Sequence, residues 1–367
     1  MATLYHRQAR ETPAYAWWRL PVAGVLTVVF YLGLSVVLIA GAAIFFAVRD
    51  DGTSIEDWLD AAGDLDLTRL DFFVLDMLGL VVLIPAVLLA VLATGPRPVG
   101  YLSSVAGRLR WGWLGRTTVM SFVVFGATIG GALAFDVVSG DELSLEADDT
   151  GQVVLAVVAV LLIVPFQAAA EEYVFRGYLM QLVGSWTRFA VVPVVVSTPL
   201  FVAGHAYELW GMVDVGIFGL TAAILTIRTG GLEAAIAAHA ANNVVLLVLD
   251  ALGVVSATDD SGAGPVDLVP TVVSSLVLLV WVEWAVRRHG IQTTREPIAP
   301  PPPPPAPMWP PPPWGLPQDV LPWAGQPAPV VAAAPVTPVT PVAPRPADAL
   351  HPQTPPYPGE IDERWRR

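Results

Sequence analysis

Eight apolar runs, most of them near the 20 residues that a helix needs to cross a bilayer, constrain this chain more than any other feature. They lie at about residues 22–48, 72–93, 117–135, 153–170 (running on towards 182), 190–206, 210–227, 232–252 and 268–286. One water-soluble core cannot hide them all. Segments this apolar must satisfy their backbone N–H and C=O groups internally, and the alternation of a barrel strand is missing, so each is expected to be a helix. The charged content of 14%, beside 54% hydrophobic residues, is well under the roughly 25% of soluble domains. The expected fold is all-α, a polytopic transmembrane bundle of about eight helices in the cell membrane. The first run is too long for a signal-peptide core, and its small residues Ala40, Gly41, Ala42 and Ala43 are embedded in it, so it is expected to be retained.

The connecting segments sort by charge. Arg7, Arg10 and Arg19 precede the first run, and Arg97, Arg108, Arg110 and Arg116 lie between the second and third. Arg176 and Arg188, then Arg228, then Arg287, Arg288 and Arg295 follow the fourth, sixth and eighth. The alternate loops are acidic, with Asp50, Asp51, Glu56, Asp57, Asp60, Asp64 and Asp66, then Asp141, Glu142, Glu146, Asp148 and Asp149, then Asp259, Asp260 and Asp267. Arg49 and Arg69, which flank the first acidic loop, are outnumbered. Arginine on every second loop predicts cytoplasmic N- and C-termini and an even number of crossings. Trp17, Trp18, Trp111, Trp113, Trp186, Trp281 and Trp284 fall near the expected interfaces. The segment 101–114, mixing Arg with Leu, Val and Trp, is expected to lie along the inner membrane surface.

A net charge of -13 without a dense basic patch gives no footing for nucleic acid. The absence of cysteine excludes disulfides, thiolate nucleophiles and Cys-bound metals. From Glu296 the composition turns to proline, with unbroken runs at 300–305 and 310–313. That predicts an extended, disordered tail over 296–367, either without a defined role or a docking site for a proline-recognising partner. The division expected from these features is a cytoplasmic segment 1–21, helices and loops 22–150, a catalytic core 151–255, a last helix 256–295 and the tail.

Ionisable groups within hydrocarbon need a partner or a task. Of five histidines, His205 and His239 lie in apolar runs, as do Glu171 and Glu172. Glu172 and Arg176 stand four apart with the acid N-terminal, suited to a helical ion pair. Glu171 points about 100° away and shows no local partner, so it must reach across the bundle, bind water or be protonated; a desolvated carboxylate can act as a general base. His239 and Asn243 share a helix face. Two imidazoles, one carboxylate and one amide donor could activate water and hold an oxyanion. Two imidazoles and a carboxylate could also bind zinc through His205 and His239, although the pattern His-Glu-x-x-His is absent. Each group alone could be structural, a helix-to-helix hydrogen bond or a topological marker. Asp76, Asp214, Glu233, Asp250 and Glu283 are expected to be capping or interfacial groups.

Glu-Glu-x-x-x-Arg at Glu171–Arg176, Phe-x-x-x-His at Phe201–His205 and His-x-x-x-Asn at His239–Asn243 together resemble the CAAX-protease and bacteriocin-processing (CPBP) family of intramembrane endopeptidases, to which the Ras-converting prenyl endopeptidase is related. The resemblance covers 153–252. It implies that Glu171 is the water-activating base, supported by Glu172 and Arg176. It further implies that His205 and His239 assist water activation and oxyanion binding, and that Asn243 polarises the scissile carbonyl. The expected partners are the lipid bilayer and a membrane-associated peptide or protein substrate, in the maturation of a secreted peptide or in self-immunity. Ser197 is the nearest candidate nucleophile for an acyl-enzyme route. The rival reading is a non-catalytic scaffold or immunity protein, or a proton-coupled transporter in which Glu171 and the histidines relay protons. Hydropathy places Glu171 in one half of the membrane and His205 towards the far end of its helix, so their meeting depends on the tertiary fold.

Overall fold

The computed structural model describes residues 2–12, 15–49, 51–94, 98–140, 149–257 and 259–296. The proline-rich tail and most of the acidic loop around 141–148 lie outside them. The described chain is helical: α1 (Arg19–Arg49), α2 (Ile55–Asp60), α3 (Leu70–Val81), α4 (Leu83–Thr94), α5 (Trp111–Ser139), α6 (Thr150–Glu172), α7 (Met180–Gly184), α8 (Val191–Val202), α9 (Leu209–Thr229), α10 (Glu233–Ala251) and α11 (Val269–His289). α3 and α4 form one apolar stretch, Leu70–Thr94, and α6 runs through a π-helical segment, Tyr173–Leu179, into α7. Among the described residues, seven such stretches are long and apolar enough to cross a bilayer. Val25, Val28, Leu32, Val36 and Val37 of α1 are exposed on the bundle surface, an arrangement suited to lipid. The protein is a multi-pass membrane protein.

The run expected at 190–206 is shorter as a helix. α8 has 12 residues, about 18 Å at 1.5 Å per residue, against a hydrocarbon layer of roughly 30 Å. It stops because the carbonyl of Phe201 is taken by Gly204 N–H at 3.1 Å and by His205 Nδ1 at 3.0 Å, a local closure of groups that a helix end leaves unsatisfied. Residues 203–208 turn the chain into α9.

α10 is the hub, packed on α5, α6 and α9. Its alanines Ala234, Ala235, Ala237, Ala238, Ala240 and Ala241 are all buried, and small side chains on every face let neighbouring backbones approach. α11 packs on α5 and α9, α3 on α6, and α1 on α4 at the periphery.

Both ends of the described chain meet on one side. Strand β1 (Thr3–Leu4) pairs antiparallel with β2 (Thr294–Arg295), Thr3 opposite Arg295. Two ends on one face are what an even number of crossings gives; the short α8 with its turn lies between the fourth and fifth of the seven long stretches. On the same side the first part of the segment expected along the membrane surface, residues 101–105, is instead buried, while Arg108, Trp111 and Gly112 further along it are exposed. Tyr101, Leu102, Ser103, Ser104 and Val105 lie under the N-terminal 3-10 turn Tyr5–Glu11. Tyr5 Oη donates to the Leu102 carbonyl, and the Nε2 atoms of Gln8 and Gln181 donate to the Tyr101 carbonyl at 2.5 and 2.8 Å. A backbone this well bonded loses nothing by leaving water.

Candidate active site

The π-helical segment begins immediately after Glu171 and Glu172. Such a segment inserts an extra residue into the helical turn and is frequent at functional sites. Within it Arg176, fully buried, donates from Nη1 to Glu172 Oε1 at 2.9 Å and from Nη2 to the Gly219 carbonyl at 3.0 Å. Its guanidinium lies over the Phe201 ring, 4.1 Å from the centroid. Gly219 leaves room for this packing: a Cβ would stand 3.0 Å from Phe201 Cδ1 and 3.2 Å from Arg176 Nη2, so those side chains would have to give way.

His239, 2% exposed on α10, joins the two glutamates. Its Nδ1 lies 2.9 Å from Glu172 Oε1 and its Nε2 3.7 Å from Glu171 Oε2. A carboxylate paired with Arg176 can only accept, which places a proton on Nδ1 and leaves Nε2 facing Glu171. Glu171, 8% exposed, does have a local partner, contrary to expectation. Gln167, one turn earlier, donates from Nε2 to its Oε1 at 2.7 Å. Asn243 Nδ2 in turn reaches Gln167 Oε1 at 3.3 Å, and Asn242 Nδ2 reaches Asn243 Oδ1 at 3.2 Å. Glu171 Oε2 is buried with no hydrogen-bond partner among the described residues.

A cavity of about 270 Å³ adjoins this network. His205, His239, Asn242 and Asn243 line it, with Phe201 and Phe218 between them. Glu171 is not part of the lining and meets the cavity through His239 and, by way of Gln167, through Asn243. His205 sits in the turn after α8, its ring 4.8 Å from that of Phe201, and the His239 ring lies 5.9 Å from the same Phe201 ring. The short α8 thus brings His205 to the cavity that His239 lines, and Phe201 separates the two rings. Tyr207 also lines the cavity; burial first, then the nearby Asp260, Glu171 and Asp214 carboxylates, push its hydroxyl above the usual range, so it stays a donor.

Two of the acids expected at helix ends have other surroundings. Glu233 is fully buried and forms a two-oxygen pair with Arg110, whose Nε and Nη2 stand 2.9 and 2.7 Å from its carboxylate. Asp214 lines the cavity. The Ser197 hydroxyl is turned to the Val194 carbonyl of its own helix at 3.4 Å. Sequence reasoning missed Gln167, Asn242 and Tyr207 as neighbours of the site; only Gln167, four residues before Glu171, carried a spacing that could have revealed it. His205 and His239 do not meet a third histidine or carboxylate in a group able to hold a metal ion among the described residues.

Residues 152–245 match the family described as type II CAAX prenyl endopeptidase Rce1-like, which bears out the resemblance read from the three motifs. A protein of Bacillus subtilis (strain 168), the uncharacterized protein YyaK, is 28% identical over 171 residues, which is 44% of this chain and 56% of that protein. The chain therefore spans little more than half the length of the relative it matches. No solved structure matches.

Proposed function

We propose that this protein, whose residues 152–245 match the Rce1-like family, is an intramembrane endopeptidase that hydrolyses a peptide bond of a membrane-associated protein or peptide. The family match supports a CAAX-type intramembrane protease. The observation that carries the mechanism is His239 held between Glu171 and Glu172, with Glu172 anchored by Arg176. A water drawn in beside His239, past the cavity lining, donates one hydrogen bond to Glu171 Oε2 and the other to His239 Nε2, which stand 3.7 Å apart. Glu171 takes a proton as the water oxygen attacks the scissile carbonyl carbon. The Asn243 amide, on a long bond to Gln167 that a substrate oxygen can replace, donates to the developing oxyanion. His239 and His205 present Nε2 to the water and to the scissile amide. The proton taken up by Glu171 then passes to the leaving amine as the tetrahedral intermediate collapses and its C–N bond breaks. Direct attack by water is favoured over an acyl-enzyme, since cysteine is absent and the Ser197 hydroxyl is committed to its own helix.

The arginine-bearing side, where β1 and β2 pair, is the cytoplasmic one in this reading, and the bilayer is the cell membrane. Substrates that suit it are secreted peptides undergoing maturation or the targets of a self-immunity function.

Purified full-length protein in liposomes with a quenched peptide library tests the proposal. Glu171→Gln is expected to lower the cleavage rate by about 10²- to 10⁴-fold with its thermal unfolding unchanged. Cleavage at the wild-type rate by a folded Glu171→Gln protein excludes the assignment.

A further inference from the structure

We infer that Asp260 is a positioning residue of the site. It reaches from the segment joining α10 to α11 to the turn that carries His205, and holds that turn, and with it the imidazole, at the cavity. The effect on cleavage rests on the endopeptidase reading; the holding of the turn rests on the contacts themselves.

The turn 203–208 is secured from two directions. Its first half belongs to α8: Ala203, Gly204 and His205 N–H donate to the carbonyls of Pro199, Phe201 and Val202, and His205 Nδ1 lies 3.0 Å from the Phe201 carbonyl. Its second half leads into α9, where Glu208 stands at the N-cap without a side-chain capping bond. The Glu208 N–H donates instead to Asp260 Oδ2 at 2.7 Å, across 52 residues of sequence. The carboxylate thus does from outside what a capping side chain does from within a helix, and it faces the positive end of the α9 dipole.

Gly211, in the first turn of α9, is a second and independent sign of this contact. A Cβ there would run into Asp260 Oδ2 and stand 2.8 Å from Tyr207 Cβ. Position 211 therefore has no room for a side chain while Asp260 and Tyr207 keep their places. The Tyr207 ring in turn lies 5.9 Å from that of His205 and only 26° from parallel with it. Packing passes from Asp260 over Gly211 to Tyr207 and His205, all four lining the cavity.

The neighbouring acids are used differently. Asp259 accepts from Ser261 N–H at 2.9 Å and Asp267 from Gly264 N–H at 2.7 Å, both within their own segment. Asp260 crosses to another element. The three line the cavity at the end of α11 remote from β2, so this acidic mouth opens away from the paired strands.

The experiment uses the full chain in liposomes with a quenched peptide library. Asp260→Ala is expected to lower kcat by about 10- to 100-fold, the scale of a small misplacement, with KM and the unfolding midpoint close to wild type. Asp260→Asn keeps an oxygen able to accept the N–H and should stay within about threefold of wild type. Gly211→Ala pushes Asp260 and Tyr207 away and should lose kcat as Asp260→Ala does; it carries the comparison if Asp260→Ala does not fold. An unchanged kcat in both folded variants, or Asp260→Asn as slow as Asp260→Ala, overturns the inference. Hydrogen exchange at the Glu208 amide reads the contact without any substrate, and should be about tenfold faster in Asp260→Ala than in wild type or Asp260→Asn. Equal exchange in all three overturns the inference whatever the cleavage. Faster exchange in Asp260→Ala, beside a wild type that cleaves no peptide, supports the holding of the turn and sinks the endopeptidase reading.

Discussion

Glu172, Arg176 and His239 are all buried, and each is tolerable there only because of the others. The guanidinium is shared between a carboxylate, a backbone carbonyl and an aromatic face. Removing it strands Glu172 with a single imidazole donor. Arg176→Met is therefore expected to cost about 3–5 kcal/mol of stability, as breaking a buried pair does, measured by unfolding in detergent. Arg176→Lys keeps the charge but cannot reproduce both the fork and the stacking, so it should fall between the two. Gln167 acts on direction instead of charge. Its Nε2 fixes one oxygen of Glu171 and so turns the other towards His239. Gln167→Ala is expected to reduce kcat by about 10- to 100-fold, the scale of losses from small misplacements, with an unfolding midpoint close to wild type. An unchanged kcat in that variant would show that Glu171 needs no such fixing.

At the scale of elements, two departures from regular helix, the π-helical segment after Glu172 and the early end of α8, shape the site together with the alanine-rich hub α10. A fourth element, the N-terminal 3-10 turn, closes the opposite side of the bundle. Gly184 of α7 permits its close approach, since a Cβ there would lie 2.1 Å from the His6 carbonyl oxygen. His6 is itself fully buried in this contact. Burial lowers its pKa, the backbone of Arg188 works against that, and Arg7 adds to the lowering. With the docked value below the ordinary value of 6.5, the undocked segment binds a proton more readily. Docking is thus fully stable above about pH 6.5 and weakens as pH falls through the docked value. Hydrogen exchange of residues 5–11, corrected for intrinsic rates, should be faster at about pH 5.5 than at about pH 7.5. His6→Phe should remove the difference. A profile that is flat in the wild type contradicts the account.

For the molecule as a whole, the pairing of β1 with β2 closes the chain on one side, and Arg110 ties that side together. It holds Glu233 at the start of α10 and donates from Nη1 to the carbonyls of Thr229 and Gln292 at 3.0 and 2.7 Å. Topology follows from this closure. Because the chain contains no cysteine, single-cysteine variants can be labelled without background. Ala2→Cys and Thr293→Cys should react alike with a membrane-impermeant maleimide, protected in intact cells and exposed after lysis. Ser261→Cys, at the acidic mouth, should be labelled in intact cells. Labelling of all three from one side contradicts an even number of crossings with the cavity opposite the chain ends.

The amino-acid sequence alone determined the all-α membrane architecture, the helical position of seven of the eight runs and the residues that stand out in hydrocarbon. Helix length and hydropathy are local properties, and a charge in lipid is conspicuous wherever it lies. It also placed Glu172 beside Arg176, since a separation of four residues is a helical contact. Only the tertiary structure decided that His239 reaches both glutamates, that Arg176 spans to Gly219 and Phe201, and that α8 ends early enough to bring His205 to the same cavity. Those facts depend on which helices neighbour α10 and on a π-helical insertion without a periodic signature, and no spacing along the chain encodes either. The place of Asp214 in the cavity wall was hidden for the same reason. Five residues into α9 it reads as an interfacial acid, and it becomes a wall of the cavity only when the segment from α10 to α11 folds over it.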